Sequence, residues 1–157
     1  MSPESNDPVL AGEEIRLLAE IGYMACGGGR IRSAREIFEG LRHLRPDCAF
    51  PYIGLAMACL SAGAPQEAIS VLRDQGLDAN PEDTEIKVFL GMALAMASRA
   101  HESRRVLGEV VAAADETMPE RRLAEKLLAH TPADAGARPP LEPLATQAPA
   151  RARIQPV

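Results

Sequence analysis

Apolar residues recur along this chain at helical steps, and the pattern then starts again. Leu18, Ile21, Gly22 and Ala25 share one helix face, as do Ala34, Ile37, Phe38 and Leu41. Gly22, Ala56 and Gly91 stand 34 and 35 residues apart, and the series Ala34, Ala68, Ser103 and Phe38, Leu72, Leu107 keep the same steps. Pro46 and Pro81 follow that period, while Pro119 comes three residues late. Self-similarity of this length marks a repeat architecture. Each unit reads as two short helices, so the expected fold class is all-α, an α-solenoid of three helix-turn-helix units with a C-terminal capping helix.

The breaks fall where antiparallel helix pairs need them. Gly27-Gly28-Gly29 stops the first helix, and Ser33-Ala34-Arg35-Glu36 has the form of a capping box for the second. Gly63 turns the second unit, with Pro65 opening its next helix. Asn80-Pro81-Glu82-Asp83 supplies the third unit with an N-cap, a first-turn proline and two acids on the helix dipole. Thr117-Met118-Pro119-Glu120 repeats the box and opens the last helix, with Leu123, Leu127 and Leu128 on one side and an end near His130. The domain expected is 12–130, with units at about 15–48, 49–83 and 84–117 and a cap at 118–130. Residues 1–11 and the Pro- and Ala-rich tail 131–157 are expected to be disordered, because the tail lacks periodic large apolar residues to offset its ordering entropy.

Composition sharpens this picture. Only 3% of residues are aromatic and none is Trp, which disfavours a sandwich or barrel, while 46% apolar content suits one packed core. A formal charge of -5 provides no field to steer the chain onto phosphates, so nucleic acid is excluded as a first partner. Cys26, Cys48 and Cys59 are odd in number and lack paired metal or redox spacing; they read as packing residues in a reducing compartment. The first ten residues have neither a basic region nor an apolar stretch, and the longest uncharged run is broken by Pro51 and Pro65. No membrane insertion is expected, and the location expected is cytoplasmic.

The repeat resembles the tetratricopeptide signature W-x2-L-G-x2-Y, A-x3-F and terminal P. The first unit offers Leu18, Ile21-Gly22, Ala25, Ala34, Phe38 and Pro46; the second Tyr52, Leu55-Ala56, Cys59, Ala68, Leu72 and Pro81; the third Lys87, Leu90-Gly91, Leu94, Ser103 and Leu107. Lys87 departs from a large apolar residue and Ser103 from a small Ala, and Gly76 lies in an inserted step. Gly22, Ala56 and Gly91 would let facing helices approach and receive Phe38 or Leu72. In size and layout the chain is similar to the tetratricopeptide chaperones of bacterial type III secretion, especially the translocator class, through Ile37-Phe38-Glu39-Gly40-Leu41 and Phe50-Pro51-Tyr52-Ile53-Gly54-Leu55-Ala56.

The resemblance implies a non-enzymatic bacterial cytoplasmic chaperone. It would hold an apolar segment of a secreted hydrophobic or coiled-coil client, a translocator, tip or filament subunit, soluble and unassembled before export, without a cofactor. The concave face built from the first helix of each pair is the expected groove, with Tyr23, Phe50, Ile53, Met57, Leu60, Val88 and Met92 as contacts. Met side chains adapt to varied guests. No charged residue lies between Asp47 and Glu67, so the central helix needs almost complete cover, from a client or from its own neighbours. The alternative function is a structural adaptor of the secretion apparatus, and a homodimer through the groove or the first helix is a further expectation.

Other constellations carry less. Gly27-Gly28-Gly29-Arg30 follows a helix and lacks the Gly-Lys-Ser/Thr ending of a phosphate cradle. His43, Asp47 and Cys48 read as a solvated connection rather than as a nucleophile or metal set. Arg30, Arg32, Arg35, Arg42 and Arg45 read as the solvated outer face of the second helix, and Glu13-Glu14 as solvated charges.

Overall fold

The computed structural model describes residues 12–132. Expectations for residues 1–11 and for the tail from 133 onward lie outside the described residues. All regular structure in the described part is helical: α1 (Gly12–Gly27), α2 (Ile31–Leu44), α3 (Phe50–Ser61), α4 (65–79), α5 (Thr84–Met96), α6 (Ala100–Ala113) and α7 (Pro119–His130). Each helix packs on the next, and α1 also packs on α3, α3 on α5, and α5 on α7.

One turn is used three times. After α1, α3 and α5 the chain passes through a left-handed residue, Gly29 (φ 71°), Gly63 (φ 72°) and Ser98 (φ 59°). The next amide closes the loop on a carbonyl five residues back: Arg30 on Ala25 at 2.8 Å, Ala64 on Cys59 at 2.9 Å, Arg99 on Leu94 at 2.9 Å. Left-handed backbone is natural for glycine and costs a serine about 1 kcal/mol. The turn also sets where α2, α4 and α6 start, and none of their first residues has a side-chain cap. Ser33 therefore lies inside α2, not at its cap. The other two expected caps shift as well. Asp83 rather than Asn80 caps α5, its carboxylate accepting from the Ile86 amide at 2.8 Å, and α7 starts at Pro119 without help from Thr117.

The change from a 34- to a 35-residue step has a local cause. Within α4 the stretch Val71–Gly76 forms a π-helical turn, and the Leu77 amide bonds the Leu72 carbonyl five residues back. A π turn takes up one extra residue without leaving the helix. Gly76 fits there because a Cβ would press on Tyr52 Cβ at 3.3 Å and Ile86 Cγ2 at 3.4 Å.

Close approach at the small residues follows from the ring they receive. A Cβ on Gly22 would lie 2.7 Å from Phe38 Cζ, and one on Gly54 2.2 Å from the same ring. Gly91 likewise leaves room for Leu107, where a Cβ would come within 2.5 Å. Ser103, the departure from alanine, is fully buried but satisfied, its hydroxyl donating to the Gly91 carbonyl at 2.7 Å. In α7 the packed face differs from the expected one: Ala124 is buried and Leu127 and Leu128 rest on Val88, Leu107 and Val110, whereas Leu123 stays 39% exposed.

Candidate interaction surface

The side chains expected to line a groove divide into two sets. Ile53 and Leu60 are 2% and 8% exposed and belong to the core shared by α3, α4 and α5; Val88, 1% exposed, packs with Leu107, Val110 and Ala124. These three are core residues, which corrects the sequence reading. The cause is coverage: α3 is contacted by α1, α2, α4 and α5, and α7 closes over the Val88 side of α5. Tyr23, Phe50, Met57 and Met92 keep part of their surface free. Phe89, one position past Val88, is half-buried and was missed because a stripe read from one helix cannot show which flank a later helix will cover.

Tyr23, Phe50, Met57, Phe89 and Met92 come from α1, α3 and α5, the helices that pack side by side. The Tyr23 hydroxyl donates to the Phe50 carbonyl at 3.4 Å, and its ring tilts against Phe38 with centroids 4.9 Å apart. Burial pushes the Tyr23 hydroxyl up to about 12, with further upward pressure from the Glu85 carboxylate and Cys26. The influence of Glu85 links α1 electrostatically with α5. Met57 touches both main core clusters, so only part of it faces out.

Beside this strip, α5 and α7 form a cleft of about 200 Å³ lined by Glu85, Val88, Phe89, Pro119, Glu120 and Leu123. Burial, then the charges of Asp83 and Glu120, hold Glu85 above the usual carboxylate range. A second apolar stripe lies on α1, where Leu17 (57% exposed), Ile21 (42%) and Met24 (69%) follow one another at steps of four and three. Ile21 was expected to pack with Leu18 and Gly22, and instead turns outward.

The remaining constellations hold the fold together. Arg35 pairs with Glu67 and donates to Cys59 Sγ at 3.0 Å, and Arg42 reaches Glu39 at 2.6 Å and Gln75 at 2.8 Å. Those two arginines thus tie α2 to α3 and α4, and are not merely solvated charges. Burial raises the Cys59 thiol despite the Arg35 hydrogen bond, which makes it a packing thiol rather than an activated nucleophile. His43 is exposed, with Nδ1 2.7 Å from the Glu39 carbonyl oxygen. Among the described residues no group of three His, Cys, Asp or Glu side chains is placed to hold a metal ion, and no helix is long and apolar enough to cross a membrane. No protein-family model matches the sequence, and no curated protein matches it.

Proposed function

We propose that this chain is a tetratricopeptide-type α-solenoid of three units with α7 as its cap, and that it acts without catalysis by binding another polypeptide. In the form implied by its sequence resemblance, it is a bacterial cytoplasmic chaperone of type III secretion. It covers an apolar segment of a translocator, tip or filament subunit and so competes with that client's self-association. The observation that carries this reading is the strip of half-open apolar side chains, Tyr23, Phe50, Met57, Phe89 and Met92, contributed by three neighbouring helices. The threefold turn at Gly29, Gly63 and Ser98 supports the repeat assignment.

Co-expression with a tagged translocator-type client, followed by purification on that tag, tests the proposal. The wild-type chain should co-purify. Met92→Glu should lose the client while keeping its helical circular dichroism, because seating an apolar segment on a carboxylate strips its water. Met92 is a better probe than Met57, whose inner part supports two cores. Client recovery at the wild-type level from Met92→Glu overturns the reading.

One observation favours the structural adaptor as a second reading. Leu17, Ile21 and Met24 form a separate apolar stripe on α1, and an assembly subunit needs two contact faces. A homodimer would use that stripe equally well, and sedimentation of Met24→Glu against the wild-type chain separates a self-associating from a client-only role.

A further inference from the structure

This inference rests on the client-binding reading and concerns what the client must look like. The α5–α7 cleft brings two carboxylates, Glu85 and Glu120, together with the apolar side chains of Val88, Phe89 and Leu123. Several carboxylates of the fold meet cations, as Glu67 does with Arg35 and Glu102 with both Arg73 and Arg99. Glu85 and Glu120 have no such partner among the described residues. The cations nearest to them in sequence are already engaged: Lys87 with Glu82 at 3.1 Å, Arg121 with Glu125 at 3.1 Å, and Arg122 with the Thr117 carbonyl at 3.1 Å. Asp83 is engaged too, as the cap of α5. Two carboxylates, each in the first turn of its helix and neither paired with a cation among the described residues, thus line one cleft with Val88, Phe89 and Leu123.

We infer that the polypeptide this surface takes is amphipathic and basic: its apolar side chains lie on Phe50, Phe89 and Met92, and a lysine or arginine enters the α5–α7 cleft between Glu85 and Glu120. Strip and cleft together complement such a segment in both polarity and charge. A long basic side chain lays an apolar stem along apolar surface and carries its charge at the tip, which matches a cleft lined by both apolar side chains and carboxylates. A bare metal ion fits less well, since two carboxylates supply too few oxygen ligands. The elevated proton affinity of Glu85 agrees with a carboxylate awaiting a positive partner. Charge of this kind also sets partner choice, because an acidic segment would meet like charge.

The test uses the full-length chain and fluorescein-labelled synthetic 16-residue helical peptides, read by fluorescence anisotropy. All carry leucines at steps of three and four; they differ only in having lysine, glutamine or glutamate at the two central polar positions. The lysine peptide should bind about tenfold tighter than the glutamine peptide, a difference of about 1.4 kcal/mol, and the glutamate peptide weakest. Glu85→Gln/Glu120→Gln should erase the preference while keeping the affinity for the glutamine peptide. Equal binding of the three peptides overturns this inference and leaves the client-binding reading standing. Absence of binding by every peptide, with the fold intact by circular dichroism, overturns both. Binding that emerges only after Arg151→Glu/Arg153→Glu assigns the cleft to the chain's own basic tail and likewise overturns the inference.

Discussion

α1 and α3 invert a simple expectation about charge. α3 carries no charged side chain, and nine of its twelve residues are buried, none of its large apolar residues being exposed. α1 carries Glu13, Glu14, Arg16 and Glu20, yet shows Leu17, Ile21 and Met24 to the outside. A helix contacted by four others keeps little open surface beyond Phe50 and Met57, so lack of charge there records mostly cover by its own chain. A helix at the edge keeps a wet side, and charges on that side let apolar residues stay open. On α1, open apolar surface occurs next to charge.

The largest expected effect tests that contrast directly. Ile53→Glu in α3 should destabilise the chain by about 3–5 kcal/mol in urea titrations, because a carboxylate would be buried without a partner. Met24→Glu in α1 should stay within about 0.5 kcal/mol of wild type. Equal losses would break the comparison.

Phe38 sharpens it, because one ring leans on both helices. Gly54→Ala in α3 should cost about 2–3 kcal/mol, since the new Cβ would meet the flank of the ring at 2.2 Å. Gly22→Ala in α1 should cost less, since contact is at the ring tip, 2.7 Å away. Thermal melts of both variants in wild-type and Phe38→Leu backgrounds form the double-mutant cycles that check the assignment, with Phe38→Leu expected to recover part of each loss. A smaller gain is expected at the third turn: Ser98→Gly should stabilise by up to about 1 kcal/mol by relieving left-handed backbone, net of the extra freedom glycine gives the unfolded chain. Gly29 and Gly63 already occupy the equivalent places after α1 and α3.

The smallest effect concerns Glu85 and depends on pH. Its proton is held more tightly in the folded chain than in the unfolded one, so its contribution to stability falls as pH rises from the usual glutamate range through the raised folded value. Glu85→Gln should therefore raise Tm at about pH 7 and leave it unchanged at about pH 3, where both states are protonated. A lower Tm for this variant at neutral pH would show that Glu85 has found a cation in solution.

Much of the helical order is legible in the sequence because it rests on local chemistry. Glycine at 29 and 63, proline at 65 and 119, and the matched spacing of Phe38, Leu72 and Leu107 each act through backbone or packing rules a few residues long. Helix starts are not legible where a tight turn, rather than a side chain, decides them, as at Ser33, which lies inside α2. Ser98 was not legible as a turn because nothing in a lone serine announces positive φ. The strip was only half legible: α3 and α5 give angular positions for Ile53, Leu60 and Val88, but which flank the neighbouring helices cover is decided by residues far away in sequence. Glu85 and Glu120 were invisible as a pair until α7 folded beside α5.

The π turn in α4 gives the chain a place to count differently. Insertions and deletions in helical stacks are ordinarily confined to connectors, since a slip inside a rod turns every later side chain by about 100°. Between Leu72 and Leu77 the extra residue is taken up by a wider loop of backbone, and Ile86 still reaches the interior. Removing one residue from 73–75 would restore ordinary winding and the shorter step of the preceding unit, leaving both flanking cores in phase, whereas the same deletion at 54–56 would turn the inside of α3 out.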